Sequence, residues 1–190
     1  MNIEKEVRYE INKQTISRII ELTKPYKPRT SMLDIVFVYY GQESLQKQGY
    51  ICRIRQKADK KTMEVKKQTS DGWLEQEIAL NDLGDGINYL QLIGMKPNMF
   101  FKRFREVRLF KGLKIFIDEM EILGDYVEIE YQDSLDAKQE LSEFLNIANI
   151  TGTEQDLYGS IVKARFKTDP EFTKTYTAAL NNIINEYCKN

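Results

Sequence analysis

The chain begins with a short stretch in which charged side chains alternate with mostly apolar ones. Residues 3–11 read Ile-Glu-Lys-Glu-Val-Arg-Tyr-Glu-Ile. In an extended strand, successive side chains point to opposite faces, so Glu4, Glu6 and Arg8 share one face. Carboxylates can bind a hard divalent cation, and a guanidinium can bind phosphoryl oxygens. The stretch therefore predicts a strand whose charged face could hold a metal ion together with a phosphorylated ligand.

Pairs of charged residues two positions apart recur along the chain. They are Arg53/Arg55, Glu64/Lys66, Arg103/Arg105 and Glu128/Glu130. This spacing puts both members of a pair on the same face of a strand. A metal–triphosphate complex needs both signs of charge, because carboxylates bind the cation while arginines and lysines bind the phosphates. From the residues alone two interpretations stay open: a shared charged interior, or solvated strand faces, since charged side chains are mostly exposed.

The composition narrows the classes of function. The 28 basic and 29 acidic residues give a net charge of −1, so no global field favours a nucleic acid polymer or a membrane. The chain has no histidine, so any metal must be held by oxygen ligands. Cys52 and Cys188 lie far apart and indicate free thiols in a reducing compartment. Without a long apolar run or a signal-like start, we expect a cytoplasmic protein.

The hydrophobic pattern predicts seven or eight strands and three to five helices. Strands are predicted at 3–11, 33–40, 49–57, 61–68, 73–80, 99–110, 113–119 and 126–132, and helices at 13–23, 81–95, 134–147 and 153–166. Charged faces on so many strands argue against an open sandwich, whose inner faces are apolar. We therefore predict an α+β fold, mainly antiparallel β, in which a closed barrel has a polar interior. The apolar partners then face outward under the helices: Ile3, Val7, Ile54, Val65, Ile115, Ile117, Val127 and Ile129.

The last part of the chain, residues 168–190, differs from the rest. After Pro170, the apolar residues recur at helical spacing, as Phe172, Tyr176, Leu180 and Ile184 show. We predict an amphipathic helix that packs on the domain formed by residues 1–167. The alternative is that this helix contacts a second copy of the chain in a homodimer.

Several motifs, kept in order between about residues 3 and 165, resemble the CYTH superfamily of triphosphate tunnel metalloenzymes. Glu4-x-Glu6-x-Arg8 resembles the family's E-x-E-x-K signature. The later motifs are Ile51-Cys-Arg-Ile-Arg55, similar to L-R-I-R; Val65-Lys66, similar to the tunnel lysine; Arg103-Phe-Arg105-Glu106, similar to K-x-R-E; Asp118 with Leu123-Gly-Asp-Tyr-Val-Glu-Ile-Glu130, similar to D-x(6)-L-G-D-F-x-E-I-E; and Leu157-Tyr158, similar to a late S-Y.

The resemblance implies an eight-stranded antiparallel, tunnel-like barrel with outer helices, and it implies a set of site residues. The implied ligands of Mg²⁺ or Mn²⁺ are Glu4, Glu6, Glu128 and Glu130. The implied triphosphate-binding residues are Arg8, Arg53, Arg55, Lys66, Arg103 and Arg105. The implied catalytic residues are Glu4, Glu6, Arg8, Lys66 and Asp118. Glu77 occupies a further acidic position of the family.

The resemblance also implies an activity on a triphosphorylated small molecule. One reaction is that of a class IV (CyaB-type) adenylate cyclase, which converts ATP to cyclic AMP and pyrophosphate. The other is that of a triphosphatase acting on thiamine triphosphate or inorganic triphosphate. Arg8 and Arg103 stand where the family usually has lysine, Glu75 lies near a usually basic position, and Leu157 replaces the usual serine. These departures leave the substrate open, and the alternative from another class is a non-catalytic module that binds polyphosphate or nucleotide.

Overall fold

The computed structural model describes residues 4–39, 50–69, 72–155 and 157–188. The strands in these ranges are β1 (Glu4–Ile11), β2 (Lys24–Tyr39), β3 (Tyr50–Lys57), β4 (Lys60–Thr69), β5 (Gly72–Ala79), β6 (Met95–Phe110), β7 (Leu113–Met120) and β8 (Gly124–Gln132). The helices are α1 (Lys13–Leu22), α2 (Leu83–Leu92), α3 (Leu135–Ile147), α4 (Tyr158–Thr168) and α5 (Pro170–Tyr187). None of the helices in the described ranges is both long and apolar enough to cross a bilayer.

The eight strands form one sheet in the order β1-β8-β7-β6-β2-β3-β4-β5. The ladders of β1 with β8, β8 with β7, and β7 with β6 are antiparallel, as are those that join β2 through β5. The predicted α+β class and the eight antiparallel strands are confirmed. Closure is not confirmed, because β1 and β5 end the order and no ladder joins them within the described ranges. The closed barrel stays a prediction from the charged strand faces and the family resemblance.

The chain divides into two compact units, and the first contains residues 1–31 and 103–163. Its apolar core lies on one face of β1, β7 and β8, where Val7, Ile115 and Ile129 are buried. Ile19 of α1 and Phe144 of α3 are fully buried in the same cluster. Because alternate strand residues face the helices, the other face is left for charged side chains. The predicted position of this apolar set beneath the helices is thus confirmed for the first unit; Ile3 lies outside the described residues.

The second unit contains residues 32–102 and 164–190. Ile54 of β3 is fully buried, and a Cβ built at Gly86 of α2 would lie only 2.8 Å from its Cδ1 atom. The glycine therefore lets α2 approach the sheet closely. In α5, the ring of Tyr176 lies 4.7 Å from that of Phe100 in β6, and its hydroxyl accepts a hydrogen bond of 3.0 Å from the Phe100 N–H. This contact holds α5 against β6, while the homodimer and the division at residue 167/168 stay predictions.

Strand β2 is longer than the predicted strand at 33–40, because it begins at Lys24 and includes Pro25 and Pro28. A proline lacks an N–H donor and is tolerated in a strand where the ladder does not need that donor. The ladder of β2 with β3 runs over residues 32–37, beyond both prolines. The prolines thus end the helical segment without ending the extended chain. β6 likewise begins at Met95, four residues before the predicted start, and includes Pro97.

Candidate active site

The sheet register of the first unit brings the predicted charged residues onto one face. Because β1 pairs with β8, Glu6 lies opposite Glu130 and Arg8 lies opposite Glu128. Residues that lie directly opposite each other in a ladder point to the same face. The ladders of β8 with β7 and of β7 with β6 continue this face. Among the described side chains, its charged members are Glu6, Arg8, Glu10, Arg103, Arg105, Lys114, Asp118, Glu128 and Glu130.

Three of the predicted metal ligands converge on this face. Glu6, Glu128 and Glu130 each offer one carboxylate oxygen, and these oxygens lie within 4.8 Å of one another. Glu6 is exposed, Glu130 is half-buried and Glu128 is buried. Three carboxylates at this spacing provide the hard oxygen ligands that Mg²⁺ and Mn²⁺ prefer. Glu4 pairs with Gln132 through the backbone of β1, and its side chain lies outside the described residues.

Arg8 lies buried beside this carboxylate cluster. Its guanidinium donates to Glu128 and forms a longer contact of 3.3 Å with the Glu6 carboxylate. Burial by itself would lower the pKa of Arg8, but the charge and the hydrogen bond of Glu128 outweigh it and raise that pKa. Arg8 is therefore a permanent cation, and it cannot act as a proton acceptor at any ordinary pH.

Asp118 is the fully buried acid of the face. Arg105 binds its carboxylate through two nitrogens, with the Nε–Oδ1 bond at 2.6 Å, and Arg103 Nε lies 3.6 Å from Oδ1. Arg105 also contacts Glu128 at 3.2 Å, and so joins Asp118 to the carboxylate cluster. Burial would raise the pKa of Asp118, but the hydrogen bond and charge of Arg105 lower it below its usual range. Asp118 is thus ionised and orients two arginines.

Tyr158 also contacts this face, although sequence reasoning placed it only in a resemblance to a late family motif. Its hydroxyl donates to Asp118 Oδ2 at 2.8 Å. The Arg8 guanidinium carbon lies 4.5 Å from the centre of its ring. Burial, followed by the charges of Asp118 and Glu128, raises the pKa of the Tyr158 hydroxyl well above its ordinary value. The local sequence placed Tyr158 inside a helix predicted at 153–166, whereas the helix begins at Tyr158, and local sequence could not show what the tyrosine contacts.

The second unit contains the other predicted triphosphate-binding residues, Arg53, Arg55 and Lys66. The Arg53 guanidinium donates to Glu64 at 2.5 Å, and Arg55 donates to Asp34 at 2.5 Å and contacts Glu64 at 3.3 Å. Glu64 is fully buried and Asp34 nearly so. The sequence pattern included Glu64 in the charged pair Glu64/Lys66 without giving it a binding role, and it did not mark Asp34. The signal for Asp34 was a lone carboxylate inside an apolar strand, which requires a cation as partner when it is buried.

Lys66 contacts Glu75, the acid that lies near a position where the family usually has a basic residue. Its ammonium lies 2.7 Å from the Glu75 carboxylate on the neighbouring strand. Partial burial would raise the pKa of Glu75, but the hydrogen bond and charge of Lys66 lower it. Glu77, two residues further on, pairs with Lys60. The charged set of this unit is therefore organised as compensated pairs.

The protein is thus an antiparallel sheet protein in which carboxylates and arginines lie side by side on one face of the first unit's strands. The chain belongs to the CYTH domain family, whose sequence profile matches residues 2–156. No curated protein matches the chain.

Solved structures with low sequence identity share the fold. The PH1819 protein from Pyrococcus horikoshii OT3 is 20% identical, with a TM-score of 0.64 over 86% of this chain and 99% of that chain. A candidate adenylate cyclase from Vibrio parahaemolyticus is 17% identical, with a TM-score of 0.61 over 84% and 97%. A candidate adenylyl cyclase from Hippeastrum, described as having a dominant triphosphatase activity, is 19% identical, with a TM-score of 0.62 over 90% and 98%.

Proposed function

We propose that this protein is a divalent-metal-dependent phosphoryl-transfer enzyme that acts on a triphosphorylated small molecule. The observation that carries the proposal is the convergence of Glu6, Glu128 and Glu130 beside Arg8 and Arg105. Phosphoryl transfer needs little from a protein beyond positioning and charge neutralisation. A cluster with both signs of charge serves that need, because the carboxylates and the guanidinium groups bind opposite parts of a metal–triphosphate complex.

The residues present fit Mg²⁺ or Mn²⁺. Glu6, Glu128 and Glu130 would hold the ion, and Glu4 is proposed as a further ligand from its place in the same motif. When bound, the ion supplies neutralisation of the charge that develops on phosphate oxygens. The absence of histidine from the chain makes these oxygen ligands the relevant donors.

The basic residues would bind and orient the phosphate chain. Arg8, Arg103 and Arg105 are proposed to bind phosphate oxygens through their planar guanidinium groups, which suit two-pronged contacts. Asp118 would keep Arg105 oriented, as the bond between them indicates. In the second unit, the resemblance adds Arg53, Arg55 and Lys66 as proposed triphosphate-binding residues. Their present carboxylate partners keep these cations in defined positions.

Two reactions are compatible with such a site. In a triphosphatase, a water oxygen attacks the terminal phosphorus, and the bond to the bridging oxygen breaks to release orthophosphate and a diphosphate. In an adenylate cyclase, the ribose 3′-oxygen of ATP attacks the α-phosphorus, and pyrophosphate leaves with the bridging oxygen. ATP, inorganic triphosphate and thiamine triphosphate share the triphosphate group that the arginines would bind.

We also propose, from the sequence, that the protein is cytoplasmic and forms a homodimer.

A non-catalytic triphosphate-binding module is the second candidate, and Arg8 is the observation that favours it. The family usually has a lysine at this position, which can lose its proton when its pKa is lowered, whereas an arginine stays charged. If proton transfer by that lysine is needed for turnover, Arg8 would support binding without reaction.

A product assay tests the proposal. The protein is incubated with Mg²⁺ or Mn²⁺ and with ATP, inorganic triphosphate or thiamine triphosphate, and the products are separated by chromatography. Cyclic AMP with pyrophosphate identifies the cyclase, and orthophosphate identifies the triphosphatase. Metal-dependent binding without any product would instead support the binding module.

A pair of variants on the same strand locates the activity. Glu6→Gln should lower turnover by about 100-fold or more, since even outer-shell partners of a bound metal are each worth about 10–100-fold. Glu10→Gln makes the same change on β1 outside the carboxylate cluster and should leave turnover unchanged. Full turnover in Glu6→Gln would contradict the proposed site.

A further inference from the structure

We propose that Tyr158 is a positioning residue that sets the geometry of the arginines in the proposed triphosphate site. The inference rests on the proposed function and adds a residue just beyond the matched range 2–156. Tyr158 begins α4 and is buried against the charged face of the first unit. Both parts of its side chain contact that face: the hydroxyl contacts Asp118, and the ring contacts arginines.

The hydroxyl fixes the Asp118 carboxylate. Asp118 Oδ2 accepts from the Tyr158 hydroxyl at 2.8 Å, and Oδ1 accepts from Arg105 Nε at 2.6 Å. Arg105 contacts both carboxylate oxygens and shares Oδ2 with Tyr158, so the carboxylate cannot rotate without losing bonds to both residues. Arg105 binds the same carboxylate with a second nitrogen, so its guanidinium plane is fixed through Asp118. A hydrogen bond to an ionised group is among the stronger contacts available to a neutral side chain.

The ring supports two more guanidinium groups. The Arg8 guanidinium carbon lies 4.5 Å from the ring centre and that of Arg103 lies at 5.9 Å, both within the range of cation–π attraction. Tyr126 packs edge-on against the same ring at 5.3 Å and limits its movement. A cation over a ring face leaves its N–H donors available for oxygen acceptors. The ring therefore helps to hold Arg8 and Arg103 in place while their donors serve carboxylates or phosphates.

Tyr158 acts in this arrangement as a donor. The hydroxyl is protonated under ordinary conditions, because burial and the nearby carboxylates oppose its ionisation. Its contribution is the orientation of Asp118, Arg105 and Arg8 in the ground state. We therefore expect its loss to weaken triphosphate binding more than it slows the chemical step.

Calorimetry with inorganic triphosphate and Mg²⁺ tests this role. Tyr158→Phe removes the hydroxyl and keeps the ring, and it should raise Kd about 10-fold, as expected for the loss of a hydrogen bond to a charged group. Tyr158→Leu also removes the ring and should raise Kd by about a further threefold, as expected for a lost cation–π contact. In Tyr158→Phe, kcat should change by less than about threefold.

A matched control separates positioning from folding. Tyr176→Phe deletes another buried, hydrogen-bonded hydroxyl, which contacts the Phe100 backbone in the second unit. It should lower the unfolding temperature and leave Kd unchanged. In addition, because the hydroxyl acts through Asp118, adding Tyr158→Phe to Asp118→Asn should weaken binding less than it does in the wild-type chain.

The outcomes discriminate between the two proposals. If wild-type protein binds triphosphate and Tyr158→Phe binds it equally well, the positioning role is wrong while the proposed function stands. Fully additive losses in the double variant would also overturn the role through Asp118. If the wild-type protein binds no triphosphate with either metal, the proposed function fails, and the inference about Tyr158 fails with it.

Discussion

Replacing Asp118 by asparagine should strongly destabilise the protein. Asp118 is fully buried, and its carboxylate compensates the buried charge of Arg105. Removing one partner of a buried ion pair costs about 3–5 kcal/mol, because the other charge remains in a poorly solvated place. Arg105 keeps a contact with Glu128 at 3.2 Å, and asparagine still offers one acceptor oxygen. We therefore expect a loss near the lower limit, about 3 kcal/mol in the free energy of unfolding.

Urea unfolding followed by circular dichroism measures this loss. With a slope of about 1–3 kcal/mol per molar urea, the midpoint should fall by about 1–3 M. Asp133→Asn is the control, because Asp133 forms its ion pairs with Lys5 and Lys138 at the surface, and surface pairs contribute little. If the urea midpoint of Asp118→Asn lay within about 0.3 M of the wild-type midpoint, the argument that the buried Asp118–Arg105 pair is tightly coupled would be refuted.

The stability difference between wild type and Asp118→Asn should also depend on pH. Burial opposes the charge of Asp118, but Arg105 outweighs burial and lowers the native pKa of Asp118 below its unfolded value. The stabilisation is therefore fully present above the unfolded pKa of about 4, and it is lost as the pH falls through the native pKa. The difference in the free energy of unfolding between wild type and Asp118→Asn should be constant between about pH 5 and 8. It should shrink below about pH 4. A difference that grows in acid would contradict this assignment.

Two further substitutions test contacts in the fold. Gly84→Ala should destabilise the protein by about 1–3 kcal/mol, because the new Cβ would lie 2.3 Å from the Tyr187 carbonyl oxygen. Gly152→Ala, with its nearest contact at 3.7 Å, should have little effect in the same urea unfolding assay, and equal effects would contradict the steric argument. Arg108→Met should lower the free energy of unfolding by about 3 kcal/mol, because the carbonyl oxygens of Ile20 and Thr23 at the end of α1 would lose their charged donor. An unchanged denaturation midpoint for Arg108→Met would show that these bonds are replaced by water.

The strand periodicity predicted which charged residues share a strand face in the first unit, because these residues lie at spacings of two. Glu128 and Glu130 share a face for that reason, and so do Arg103 and Arg105. Their convergence, however, depends on the register between strands that are far apart in the chain. The family resemblance supplied that information, since its motifs are kept in order along the chain.

The residues that sequence reasoning missed are those whose importance depends on a distant partner. Asp34 lies directly opposite Arg55 in the ladder of β2 with β3, and nothing in the residues around Asp34 specifies that register. Arg108 looks like an ordinary charged strand residue until the end of α1 is placed against it. Tyr158 acquires its role only where α4 places it against Asp118. In each case the partner is set by tertiary packing, which local spacing does not encode.

The Arg8–Glu128 pair makes the occupation of the proposed site an exchange of partners. A cation binding alone would take Glu128 from Arg8 and would leave the buried guanidinium with less compensation. A phosphate binding alone would take Arg8 and would leave the Glu128 carboxylate in the same condition. If both ligands bound together, each displaced charge would receive a new counterion, so the two affinities would be linked and each ligand would strengthen the other by the same factor. A site of this kind would bind the metal–phosphate complex more readily than it would bind either ion alone.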